Sequence, residues 1–166
     1  LSNIHASLGQ SDEAERFRQL APRAYLDLAE NAIQEGKPDD VVIRYIRGAE
    51  AHQRLGNLAE ANTYLTQALQ QEASPDVEHL ARELFAEILQ EQGLPGAAAD
   101  QLFLAGELEL ELKNLVEALN LFNESLSLGL AGDNQLLAYV YLSNIHASLG
   151  QSDEAERFRQ LAPRAY

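Results

Sequence analysis

The sequence predicts an all-α protein, an α-solenoid of antiparallel helix hairpins, and three observations predict it. Ala, Leu, Glu and Gln dominate the composition, and these residues lose little on entering a helix. No stretch keeps up the two-residue alternation of a half-buried strand. Glycines recur as helix punctuation, each followed five positions later by a small residue: Gly9/Ala14, Gly36/Val41, Gly56/Ala61, Gly93/Ala98 and Gly150/Ala155. A Gly just past a helix end permits the left-handed turn that caps it. A small residue where two helices cross lets their backbones approach closely.

About ten helices are expected, near 1–8, 12–21, 23–35, 39–54, 58–71, 76–92, 95–112, 115–128, 133–148 and 152–162. Pro38, Pro75 and Pro95 fall in first turns, where the missing N–H costs nothing. Asp133 is expected to cap the helix after Gly132, and Asp12 with Glu15 has the spacing of a capping box. At Pro22 two readings stand. Ala14, Phe17, Ala21, Ala24, Leu28 and Ala32 keep one helical phase across it, so residues 12–35 are either one kinked helix or two. A break is preferred, because an interior Pro costs about 3 kcal/mol.

The ends of the chain repeat each other. Residues 1–25 read LSNIHASLGQSDEAERFRQLAPRAY, and residues 142–166 read the same, letter for letter. Natural repeats drift apart, so complete identity points to engineering or to a very recent duplication. The two segments are expected to be copies of one helical hairpin.

The chain has 166 residues, enough for one core or a short repeat array. Hydrophobic residues make up 46% and charged residues 23%, the profile of a soluble folded protein. Net charge is −14, from 26 acidic and 12 basic residues. Phosphate backbones and anionic lipid surfaces need basic protein, so no nucleic-acid binding is expected and no membrane association. No apolar run approaches the ~20 residues of a membrane helix. There is no Cys, hence no disulfide framework and no thiol chemistry. The compartment stays open, with the cytoplasm favoured.

The segments ASLGQSDEAERF, QRLGNLAEANTYL, QEQGLPGAAADQL and LELKNLVEALNLF resemble the turn and second helix of a tetratricopeptide unit. Tyr139, Leu142, Ser143, His146, Gly150, Ala155 and Ala162 fall in the family's register. So do Tyr45, Gly48, Ala49, His52, Gly56, Leu58, Ala61 and Ala68, and Phe85, Ala86, Gly93, Ala98 and Ala105. Leu102, Gly106, Leu115, Ala118 and Phe122 make a further partial match. The small positions fall at 14, 41, 61, 98, 118 and 155. Their gaps are uneven where the family repeats every ~34 residues. The units are therefore divergent, and which helices line the inner surface stays open.

The resemblance implies a single repeat domain over 1–166 with a concave surface that holds another protein. In the family the first helix of each unit lines that surface. On this reading Arg23, Leu26, Asp27, Glu30 and Gln34 would face inward from one helix. Asp100, Phe103, Leu104, Glu107 and Glu111 would do so from a second, and Leu137, Val140, Tyr141, Asn144 and Ser148 from a third. Asn144 matches one Asn of the subfamily that grips a peptide carboxylate, but Val140 stands at its Lys position, so that clamp is not expected.

Little points to catalysis. His5, His52 and His146 take a core aromatic position and are expected to pack or to hydrogen-bond, and His79 is expected to be exposed. No two-His spacing of a metal site occurs, and no nucleophile elbow, phosphate loop or dinucleotide fingerprint. No cofactor is expected. Glu83, Glu87 and Glu91, and Glu107 and Glu111, read as solvated helix faces rather than catalytic pairs. Residues 76–130 hold 11 acidic and 2 basic residues, so most of the negative charge gathers there. The expected function is a non-catalytic interaction module with an acidic, partly apolar groove for a basic or amphipathic peptide or helix. The alternative is a self-assembling repeat, joined head-to-tail or by exchange of the identical ends.

Overall fold

The computed structural model describes the backbone of residues 2–162 and, from residue 15 onward, their side chains except 17 and 18. Among these residues there are eight helices and no strand: α1 (Ser2–Glu35), α2 (Pro38–Arg54), α3 (Leu58–Ala68), α4 (Pro75–Glu91), α5 (Pro95–Glu111), α6 (Leu115–Ser127), α7 (Gly132–Ser148) and α8 (Ser152–Leu161). The chain divides into two compact units, Leu1–Val77 and Glu78–Tyr166. In the first, α1 packs on α2 and α2 on α3. In the second, α5 pairs with α6 and α7 with α8, and α7 also touches α6 and α5. These are the antiparallel helix hairpins of a tetratricopeptide-like repeat.

One turn geometry makes the hairpins. In α2/α3, Asn57 N–H donates to the His52 carbonyl at 2.9 Å and Gly56 N–H to the Gln53 carbonyl at 3.0 Å, with Gly56 at φ +78°. This nested pair of bonds around a left-handed residue satisfies the last free carbonyls of the helix and reverses the chain. The same bonds recur at Gly93 (φ +75°) and Gly150 (φ +76°), and at Lys113, which holds φ 62° with a side chain. The small residues beyond these turns are buried as expected: Ala61, Ala98 and Ala118 are wholly covered, and Ala155 nearly so.

The first helices depart from expectation. Three were expected over 1–35, and one is present, because α1 runs from Ser2 to Glu35 through both Gly9 and Pro22. Pro22 removes one backbone bond, but its ring is buried and its carbonyl accepts the Tyr64 hydroxyl at 3.2 Å. Tertiary packing thus offsets the local cost of the proline. Residues 12–15 lie inside α1, so Asp12 and Glu15 form no capping box. Asp133 is likewise no cap, since α7 begins at Gly132 and Asp133 occupies its first turn. Pro38 and Pro95 do open their helices.

The identical segments fold differently. Residues 142–161 form the end of α7, the Gly150 turn and α8, whereas residues 2–25 are helical throughout. In the hairpin, Ser143 Oγ donates to the Ala155 carbonyl at 2.8 Å and the His146 ring stacks on Phe158 with centroids 5.5 Å apart. Along one straight helix, residues 12 positions apart are separated by about 18 Å. Local sequence therefore does not decide between the two forms. Around the C-terminal copy, Phe122, Leu130, Ala138, Leu142, Ile145 and Phe158 share one core.

Candidate partner-binding groove

Along α5, Asp100, Leu104, Glu107 and Glu111 recur at helical spacing and make one stripe. Across from it, α4 brings Glu78 and Arg82, one turn apart. Between the two helices lies an open groove of about 290 Å³ lined by Glu78, Arg82, Leu104, Glu107, Leu108 and Glu111. Its lining joins two leucines to three carboxylates and one guanidinium. That guanidinium is already engaged, because Arg82 Nε pairs with Glu78 Oε2 at 3.0 Å and Nη1 donates to Gln101 Oε1 at 2.9 Å. The groove therefore presents uncompensated negative charge beside leucine surface.

Behind the groove is an aromatic cluster. Tyr141 of α7 donates its hydroxyl to Glu107 Oε2 at 2.7 Å. Its ring lies 5.1 Å from Phe122 and 6.1 Å from Phe103, centroid to centroid. Burial, then the hydrogen bond to Glu107 and its charge, pushes the Tyr141 phenol up to about 12. The bond fixes the carboxylate that lines the groove.

The residues expected to face a partner fare unequally. Leu104, Glu107 and Glu111 line the groove together, and Tyr141 supports it. Asp100 is exposed further along the same stripe. Phe103 is a correction: it is 2% exposed and belongs to the core with Phe122, so its ring is not offered to a partner. Val140 is half-buried and Asn144 exposed on α7, and neither lines the groove. Arg23, Asp27 and Glu30 lie exposed on α1 in the first unit, where Arg23 Nε pairs with Asp27 Oδ1 at 3.4 Å. Sequence reasoning missed Glu78, Arg82 and Leu108. The spacing of Glu78 and Arg82 was visible, but their meeting with α5 was not. A larger hollow of about 420 Å³ in the first unit is lined by Glu15, Ala21, Ala51, Arg54 and Leu55. One acid and one base give it no electrostatic preference, so the α4/α5 groove is the better candidate.

The histidines divide into two kinds. His146 packs on Phe158 and holds Gln151 Oε1 at 2.5 Å from its Nδ1, within the hairpin. His52 meets the Tyr64 ring edge-on at 4.8 Å, and its buried Nδ1 has no partner among the described residues. Burial holds the His52 imidazole below its ordinary range, opposed by the charge of Glu60. The side chain of His5 lies outside the described residues. His79, expected to be exposed, is instead mostly covered, with 17% of its side chain accessible. Its Nδ1 lies 2.7 Å from Glu83 Oε2 and 3.0 Å from Glu109 Oε1. These three ligand-type atoms lie within 4.8 Å of one another. Two-His spacing does not mark this group, because it holds one His, and Glu109 joins it from another helix.

No family model matches the chain, and no curated protein does. Among solved structures, MamA is 13% identical, with 87% of this chain and 91% of that one covered and a TM-score of 0.36. A tetratricopeptide repeat protein from Parabacteroides merdae is 15% identical, covering 87% and 68%, with a TM-score of 0.31. Likenesses this loose carry no argument about function. The tetratricopeptide-like hairpin fold rests on the helices and turns themselves, and among the described residues no helix is long and apolar enough to cross a membrane.

Proposed function

We propose that the second unit is a non-catalytic interaction module whose α4/α5 groove holds a basic, amphipathic helix or peptide from another protein. The groove's composition carries this reading: Glu78, Glu107 and Glu111 line it with Leu104 and Leu108, while the one cation in its lining, Arg82, is bound to its neighbours. A ligand with Lys or Arg flanking an apolar stripe would meet complementary charge and bury leucine surface in this lining. Selection of binders from a random peptide library tests it. Enrichment of Lys and Arg beside apolar residues at i, i+3 or i+4 spacing is expected. Enrichment of acidic peptides, or of none, counts against it.

A second reading, head-to-tail assembly, is favoured by one observation. The 25-residue segment that closes into a hairpin at 142–161 is an uninterrupted helix at residues 2–25. An N-terminal copy from one chain can, by identity of sequence, take the hairpin's place in another. Light scattering on the full chain and on a form lacking residues 1–25 tests this. Association that grows with concentration and vanishes on deletion supports exchange, and a monomer in both forms contradicts it.

A further inference from the structure

The cluster of His79, Glu83 and Glu109 lies outside the groove's lining and is not absorbed by the proposed function. His79 and Glu83 stand one turn apart on α4, and Glu109 comes from the last turn of α5. Glu109 is 4% exposed, and its second oxygen, Oε2, accepts a hydrogen bond from Asn114 Nδ2 at 2.8 Å. That bond leaves Oε1 directed at His79. A single nitrogen, His79 Nδ1, thus faces two carboxylate oxygens at once.

One N–H must be shared between two acceptors, and the cluster keeps charge −1 even with an imidazolium at its centre. Glu109 is the covered carboxylate of the two, and a buried carboxylate is costly unless a cation matches it. Glu109 also stands at the C-terminal end of α5, where the helix carries partial negative charge and favours cations. Both carboxylates direct their ion pair at the same His79, and the nearby Arg82 is engaged by Glu78 and Gln101.

We infer that His79 Nδ1, Glu83 and Glu109 form a binding site for one divalent transition-metal ion, with Zn(II) the best match, that staples α4 to α5. One imidazole and two carboxylates suit Zn(II), which takes nitrogen and oxygen ligands at about 2.0–2.2 Å. Tetrahedral ligands at that range stand about 3.3 Å apart, so the observed 2.7 and 3.0 Å separations need to open only slightly. Asn114 orients the Glu109 carboxylate from outside, as the outer shell of a metal site does. Remaining positions on the ion are left to water.

Tag-free, EDTA-treated protein is titrated with Zn(II) by calorimetry and with Co(II) by visible absorption. One tight equivalent is expected, with a Co(II) spectrum of low coordination number and perturbation of the His79 imidazole resonances. Glu83→Gln and His79→Gln should each weaken Zn(II) binding by about tenfold or more. Glu87→Gln, on the exposed face of the same helix, should leave it unchanged. Zn(II) should raise the thermal midpoint of the wild type and not that of Glu83→Gln, a half-exposed site whose amide keeps the side-chain shape. Equal affinity in wild type and Glu83→Gln, or equal losses in Glu83→Gln and Glu87→Gln, would overturn the inference. The cluster would then be an ion-pair staple, with metal bound diffusely to surface carboxylates.

Discussion

Tyr141 on α7 gives its phenolic hydrogen to the Glu107 carboxylate on α5 at 2.7 Å, and so ties the aromatic core to the wall of the acidic groove. Glu107→Gln removes the charge while keeping a hydrogen-bonding side chain. The Tyr141 pKa should then fall from about 12 while staying above 10.0, because burial is the largest cause of its elevation. A titration of tyrosinate absorbance, with Tyr141→Phe as the reference, reads it. The sign of the linkage follows. A phenol raised in the folded state contributes stability that is full below its unfolded value of 10.0 and is lost as pH rises toward about 12. Tyr141→Phe should lose that alkaline sensitivity.

His52 has the opposite sign. Its folded pKa lies below 6.5, so the unfolded chain takes up the proton first. Its contribution is intact above 6.5 and declines as pH falls below it. The stability gap between wild type and His52→Gln should therefore narrow on acidification from about pH 8 to about pH 5, across the histidine range. Urea unfolding at several pH values measures it. A gap that stays constant would mean that His52 titrates alike in both states.

Gly106 faces the Phe122 ring so closely that an added Cβ would lie 2.7 Å from Phe122 Cε1. Gly106→Ala should destabilise by about 1–3 kcal/mol, as forced overpacking does. Gly96, also on α5, meets nothing within 4 Å, so Gly96→Ala should be neutral or stabilise by up to about 1 kcal/mol. Equal effects at the two sites would contradict the close approach of α5 and α6.

The duplicated segments give a prediction free of sequence differences. Gly150 holds φ +76° in a turn, so Gly150→Ala should cost about 1–2 kcal/mol. Gly9, the same residue in the other copy, lies inside α1, where Gly→Ala should stabilise by about 0.5–1 kcal/mol. Denaturant unfolding of both variants compares them. Losses of similar size would mean that the N-terminal copy is also a hairpin. Lys113 offers a related case, since a side chain sits at φ 62° in the α5/α6 turn, and Lys113→Gly should stabilise by about 1 kcal/mol.

Much of the fold was legible because it is written in local chemistry. Gly56, Gly93 and Gly150 mark turns whose left-handed residue favours glycine, and Pro38 and Pro95 mark helix starts. What failed depended on packing at a distance. Pro22 and Gly9 read as breaks, yet α1 passes through both, and no local rule separates residues 1–25 from their copy at 142–166. The site was half legible for a rotational reason. Phe103 and Leu104 are neighbours about 100° apart around α5, and that rotation puts one ring in the core and the other side chain in the groove. The stripe Leu104, Glu107 and Glu111 was visible as a period, but its facing residues Glu78 and Arg82, and the meeting of Glu109 with His79, depend on how α4 lies against α5.

The most direct test of the groove is a fluorescence-anisotropy titration of a basic, amphipathic helical peptide into wild type, Leu104→Asp and Glu111→Lys at low and high salt. One-to-one saturable binding is expected, weaker at high salt, where surface charges are screened. Glu111→Lys should weaken it and flatten the salt dependence, and Leu104→Asp should weaken it while leaving the salt dependence in place. Binding that is indifferent to both substitutions, or no binding to wild type at low salt, would contradict the α4/α5 groove as the partner site.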